Sequence, residues 1–95
     1  MRRIKLTVAY DGTDYCGWQI QPNGITVEEV LNKALSDLTK ETVKVIGASR
    51  TDAGVHARGN VAVFDTKSPI PPERIAYAVN ALLPDDIVVM RSEEV

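Results

Sequence analysis

Four side chains able to do chemistry fall within nine residues: Arg50, Asp52, His56 and Arg58. Arg50 and Asp52 stand two apart, and in an extended backbone such residues share a side. A guanidinium so placed holds the carboxylate ionised near neutral pH. An ionised carboxylate is a candidate nucleophile or base, and an arginine beside it can grip a phosphate. From residue 44 to residue 60, Lys44, Arg50 and Arg58 face one acid, Asp52, a local net of +2 in a chain whose net charge is -2. An anionic partner requires such a local patch. Spacing alone supports a plainer alternative. Thr-Asp-Ala-Gly is a good turn in which the Asp side chain bonds backbone N–H groups, and on spacing this is the stronger reading of Asp52. For His56 the stronger reading is a hydrogen-bonded loop histidine. For Tyr15 and Trp18 it is partial burial under their loop, with base stacking as the functional alternative.

These residues need elements to position them. Ile4, Leu6, Val8 and Tyr10 alternate with Lys5, Thr7 and Ala9, which predicts a half-buried strand over residues 4–10. Asp11-Gly12-Thr13-Asp14 is turn-rich, and a long loop runs from Tyr15 to Gly24. Thr26 with Glu29 three residues on forms a capping box. Val27, Val30, Leu31, Ala34, Leu35 and Leu38 then give an apolar helical stripe ending near Thr39. Residues 43–47 predict a short strand, 48–59 a polar loop, and 60–66 another strand in which Val61, Val63 and Phe64 supply the bulk. Pro69, Pro71 and Pro72 stop that strand. Ile75, Ala78, Val79, Leu82 and Leu83 predict a second helix stopped before Pro84, and residues 87–90 a last strand.

The order is β-α-β-β-α-β. With right-handed crossovers it predicts an α+β domain spanning residues 1–95: a four-stranded antiparallel sheet with both helices on one face, the ferredoxin-like arrangement. Thr7, Ala9 and Ala62 are expected on the open face, where a second domain or subunit can pack. Arg2 and Arg3 read as a solvated strand end.

Composition bounds the rest. Ninety-five residues, 44% hydrophobic and 25% charged, make one ordinary globular domain with a modest core. Eleven basic against thirteen acidic residues argue against a chain that grips nucleic acid over its whole surface. The lone Cys16 permits neither an internal disulfide nor a Cys-x-x-Cys metal site and reads as a small, partly buried residue. No leader pattern and no membrane-length apolar stretch is present, so a cytoplasmic protein without a membrane segment is expected.

Arg50-Thr51-Asp52-Ala53-Gly54-Val55-His56-Ala57 resembles the signature of the tRNA pseudouridine synthase A family. Tyr10-Asp11-Gly12-Thr13 with Gly17-Trp18-Gln19-x-Gln21, the helix opening Thr26-Val27-Glu28-Glu29, and Asn80-x-Leu82-Leu83-Pro84-x-Asp86-Ile87 are similar to further runs of that family. The likeness covers essentially the whole chain. It implies an isomerase that turns uridine into pseudouridine in the anticodon stem-loop of tRNA, with no cofactor and no metal. It implies Asp52 as the nucleophile, attacking either the base or the sugar, and Arg50 as its partner in holding a flipped-out nucleotide. His56 matches the motif without a role being assigned. Arg58 is a phosphate contact by charge and position alone. The family's enzymes are longer homodimers of two ferredoxin-like halves with the active site between them. A base-stacking aromatic and further basic residues come from the second half. The expectation is therefore an N-terminal domain that carries the nucleophile in an incomplete, inactive site and lacks its C-terminal domain.

Three other readings share this element order. An RNA-binding module of the RRM type needs exposed aromatics on its third strand, where Asn60 and Ala62 stand here. An acylphosphatase-like enzyme needs a phosphate-cradling Gly-Arg loop after the first strand, but that loop holds Asp11 and Asp14 and no arginine. A metallochaperone is not compatible with one cysteine.

Overall fold

The computed structural model describes residues 1–18, 20–22, 24–47 and 57–95. The expected first strand runs longer than its apolar core: β1 spans Arg2–Tyr10. Ile4, Leu6, Val8 and Tyr10 are buried, while Arg3, Lys5, Thr7 and Ala9 alternate onto the other face. β1 is the middle strand of an antiparallel sheet, with β2 (Ala57–Thr66) on one side and β3 (Ile87–Glu94) on the other.

Two helices cover the buried face. α1 spans Val27–Thr39 and buries Val27, Leu31, Ala34 and Leu35. Its cap is the expected Thr26, whose hydroxyl accepts from the Glu29 N–H at 3.3 Å. α2 spans Pro72–Asn80, with proline in the first turn where no N–H is needed, and buries Ile75, Ala76 and Val79. These side chains form one core with Ile4, Leu6, Val8, Ala62, Phe64, Ile87 and Val89. No helix among the described residues is long and apolar enough to cross a membrane.

The sheet has three strands among the described residues, not the expected four. Residues 43–47 meet β2 at a single bridge, Ile46 with Val63, through two backbone bonds of 2.8 and 2.9 Å. The other edge of the segment is tied to α1. The Val43 N–H donates to Ser36 Oγ at 2.8 Å and the Val45 N–H to Asn32 Oδ1 at 2.9 Å. Helix side chains take the donors that point away from β2, and on the β2 side one paired residue is too few for a ladder. Val43 and Val45 are still buried, so the apolar alternation that suggested a strand is real.

Ala62 was expected on the open face and lies on the covered one. It pairs with Leu6, which fixes its side, and it is fully buried. α2 ends at Asn80, short of the expected Leu83, and Leu82 is half exposed. Beyond Asn80 the chain turns through tighter bonds, Leu82 N–H to the Val79 carbonyl at 2.9 Å and Leu83 N–H to that of Asn80 at 3.3 Å, and the Asn80 carboxamide binds β3. Its Nδ2 donates to the Val89 carbonyl at 2.9 Å and its Oδ1 accepts from the Val89 N–H at 2.8 Å, as a neighbouring strand would. Near the start of α2, the Ala76 N–H donates to Ser92 Oγ at 2.8 Å, and that hydroxyl donates to the Pro72 carbonyl at 2.6 Å. Ser92 thus sits inside a helical hydrogen bond and ties α2 to β3.

Arg2 is not a solvated strand end. Its guanidinium donates to the carbonyls of Ser68 and Ile70, the latter at 2.8 Å, and holds the segment that leads into α2. On the open face, charges gather at one end: Arg3 grips Asp65 through two bonds of 2.9 and 3.0 Å, and Lys5 and Arg91 both approach Glu93. The Arg3 bond holds the Asp65 carboxyl below its ordinary range. These pairs are exposed, and such pairs contribute roughly 0–1 kcal/mol each.

Two outcomes test this frame. Asn80→Ala leaves both backbone groups of Val89 without a partner and should cost about 1–3 kcal/mol in urea unfolding, against about 0.5 kcal/mol or less for the exposed Tyr77→Ala. The second concerns Glu41, whose carboxylate accepts from the Thr66 hydroxyl at 2.5 Å and the Lys67 N–H at 2.8 Å. Those bonds hold its carboxyl below the ordinary value of 4.5. A depressed acid stabilises the fold fully above its ordinary value, and that contribution is lost as pH falls through the depressed one. The urea midpoints of the protein and of Glu41→Gln should therefore differ most at neutral pH and converge in acid. A gap that widens in acid would contradict the bond network.

Candidate active site

Arg50, Asp52 and His56 lie outside the described residues, whereas Arg58 is described. What can be built is the frame on either side of that run. On the incoming side Ile46 is bonded to Val63, and Gly47 has φ 88, a left-handed conformation that favours glycine. On the outgoing side Ala57 opens β2 opposite Tyr10, the last residue of β1.

Arg58 owes its position to an irregularity. Val8 pairs with Asn60, and Tyr10 with Ala57, so Arg58 and Gly59 together oppose the single residue Ala9. This is a β-bulge. Asn60, Ala62, Phe64 and Thr66 all face the core. Continued alternation back from Asn60 would set Arg58 opposite Tyr10 and drive a guanidinium into that core, which is prohibitive without a partner. The extra residue leaves both Arg58 and Gly59 exposed. Arg58 then lines an open cleft of about 420 Å³ with Ala9, Tyr10, Asp11, Asp85, Asp86 and Val88. Among the described residues the cleft wall holds three carboxylates to one guanidinium. Among the described residues no cluster of acids, histidines or cysteines is placed to hold a metal ion.

Two turns make that wall, and they are tied together. The Asp11 N–H donates to the Asp86 carbonyl at 2.9 Å, and the Tyr15 hydroxyl donates to Asp86 Oδ1 at 2.6 Å. Asp11 Oδ1 accepts from both the N–H and the hydroxyl of Thr13, which shapes a 3-10 turn over Gly12–Asp14. Burial first, and then the bond to Asp86, push the Tyr15 phenol well above its ordinary value. The sequence reading took Pro84-Asp85-Asp86 for a turn and missed this role of Asp86. Its sequence signals are an acid beside a strand start and a place in the run Asn80-x-Leu82-Leu83-Pro84-x-Asp86-Ile87.

The loop after the 3-10 turn packs onto α1. Cys16 N–H donates to the Ile25 carbonyl at 2.8 Å, Val27 N–H to Gly17 at 3.1 Å and Glu28 N–H to Trp18 at 3.0 Å. With Glu29 bonded to the Thr26 hydroxyl, the first three amides of α1 have partners. They are not available to a phosphate, which counts further against the acylphosphatase reading. Gly24 is required here, because a Cβ on it would stand 2.5 Å from Cys16 Sγ. Trp18 and Tyr15 are buried, at 3% and 8% exposure, and Trp18 packs against Tyr10 with ring centroids 5.9 Å apart. Neither ring offers a stacking face. The open sheet face is bare of aromatics among the described residues, since Asn60 and Ala62 face the core and Gly59, Val61 and Val63 face outward. The RRM reading loses its platform.

The family model described as "tRNA pseudouridine synthase" matches residues 6–95. The chain is 62% identical over 95 residues to the tRNA pseudouridine synthase A of Ruminiclostridium cellulolyticum, covering all of this chain and 39% of that protein. It is 57% identical to the protein of the same name from Exiguobacterium sibiricum, again over its whole length and 38% of the relative. A third, from Geobacter sulfurreducens, is 54% identical over 94 residues, which is 99% of this chain and 38% of the relative. The chain thus spans about two fifths of the length of the curated relatives it matches.

Proposed function

The chain belongs to the tRNA pseudouridine synthase family, and on that premise we propose that it is the part of such an enzyme that supplies the nucleophile, Asp52. The observation that carries this reading is the run Arg50-Thr51-Asp52-Ala53-Gly54-Val55-His56-Ala57, lying inside a match that extends over residues 6–95. The substrate is a uridine in the anticodon stem-loop of a tRNA. The bond between ribose C1′ and N1 breaks, the freed uracil turns, and C1′ bonds to C5. The C5 proton is given up and N1 gains one. The isomerisation is balanced without an oxidant, a reductant or a cofactor.

Each residue has a role in this reading. Asp52 attacks, at the base or at the sugar. Arg50, two residues before it, keeps the carboxylate ionised and helps hold the nucleotide out of its stack, a displacement that costs a few kcal/mol. Arg58, held on the cleft rim by the bulge, meets a phosphate. His56 belongs to the motif and is given no chemical step. The domain is read as ferredoxin-like, with residues 43–47 as an outer strand reduced to one bridge. The remaining three fifths of the relatives' length supplies a second half, a stacking aromatic and more basic residues, in a homodimeric enzyme of the cytoplasm. The isolated 95-residue chain carries the nucleophile but not a working site.

The test is direct. In the full-length protein Asp52→Ala should abolish pseudouridine formation in an unmodified tRNA transcript and leave tRNA affinity within about threefold, since the step lost is made only in the transition state. The 95-residue chain alone should give negligible product. Substantial product from the Asp52→Ala protein would sink the assignment.

A further inference from the structure

We propose that Asp86 is a positioning residue: with Tyr15 it latches the turn after β1 to the turn before β3, and the latch fixes the strand end at Tyr10, beside which the chain enters β2. The inference rests on the reading above and adds to it a pair of residues that the motif does not contain.

The argument starts at a strand end. Tyr10 closes β1 and pairs with Ala57 on one side and Ile87 on the other. Whatever fixes Tyr10 therefore fixes the point where the chain re-enters the sheet after the run that holds Asp52. Tyr10 itself packs on Trp18. Beyond it the pairing to β3 is continued by one backbone bond, Asp11 N–H to Asp86 carbonyl, and one side-chain bond, Tyr15 to Asp86, between residues 71 apart in sequence. Tyr15 as a residue is 8% exposed and its hydroxyl bond is partly buried, and a donor in such a place left without an acceptor is costly. Asp86 is that acceptor. A phenol is protonated at neutral pH in any case, and burial and this bond raise its value further, so it stays a donor. Asp86, Asp11 and Arg58 line the same cleft. Releasing the latch frees the Gly12–Asp14 turn, and with it the wall facing Arg58 and the entry of β2. A displacement of the order of 1 Å at a reacting group can cost about a hundredfold in rate.

A latch makes a specific demand: its two side chains must act as a unit, through the hydrogen bond and not through charge. The experiment measures kcat and KM of the full-length protein on an unmodified tRNA transcript for Tyr15→Phe, Asp86→Ala, Asp86→Asn and the double variant Tyr15→Phe with Asp86→Ala. Folding is checked by circular dichroism. Tyr15→Phe and Asp86→Ala should each lower kcat about tenfold or more with KM within about threefold, and the double variant should be no worse than the worse single one. Asp86→Asn, whose carbonyl oxygen still accepts from the phenol, should stay within about threefold of the unaltered protein. Wild-type turnover by Tyr15→Phe overturns the proposal. So does an Asp86→Asn as damaged as Asp86→Ala, which would make the carboxylate's charge the active feature. So does a loss confined to KM. If Asp86→Ala does not fold, Tyr15→Phe and Asp86→Asn still decide the matter. Asp52→Ala is run alongside. If it retains activity, or the unaltered protein forms no pseudouridine, the functional reading falls and the latch with it. If Asp52 is essential and Tyr15→Phe is not impaired, the latch alone falls.

Discussion

β1 is hydrogen-bonded along both edges, and every other feature is placed relative to it. Its strict alternation puts Ile4, Leu6, Val8 and Tyr10 under the two helices. Burying a large aliphatic side chain of this kind contributes on the order of 1.5–3 kcal/mol. A slip of one residue would exchange those four for Arg3, Lys5, Thr7 and Ala9, so the register is not negotiable. The neighbours therefore adapt to β1. Each carries a bulge against it: β2 at Arg58 and Gly59, β3 where Val8 pairs with Val89 and Thr7 with Arg91, leaving Met90 over. The first bulge keeps a guanidinium out of the core. The second leaves Met90 and Arg91 exposed while Ser92 returns inward to meet α2.

What could be read from the sequence was whatever a single element determines by itself. Period-two alternation located β1, the Thr26 cap located the start of α1, and the prolines located the start of α2. What could not be read depended on partners far along the chain. Nothing local to residues 43–47 says that Ser36 and Asn32 will take its amides. Nothing local to Asn80 says that its carboxamide will bond Val89 of β3. Ala62 was misplaced for the same reason. Its face is set by pairing with Leu6, and a strand read alone has two equivalent faces. In each case the deciding interaction was a polar side chain or a register, which hydrophobic periodicity does not encode.

The candidate site divides along the same line. Arg50, Asp52 and His56 stand out by residue type and motif, and Arg58 by charge. The supports do not. Asp86 reads as a turn residue, and Tyr15 as a loop aromatic, until the fold brings them to 2.6 Å. Supporting residues are harder to read than acting ones because their chemistry is ordinary and only their geometry is special.

Charge gives the last step. Binding to a nucleic acid grows with the number of phosphates neutralised. This chain has a net charge of -2, and its Arg3, Lys5 and Arg91 are already matched to Asp65 and Glu93. The described cleft wall sets Arg58 among Asp11, Asp85 and Asp86. A surface so balanced supplies little long-range attraction for a polyanion. On the proposed reading, most of that attraction comes from residues that this chain does not contain, in the three fifths of the relatives' length beyond the match. The division is physically sensible. On that reading the nucleophile's position has to be set locally, whereas phosphate attraction is long-ranged and can be supplied by a separate body.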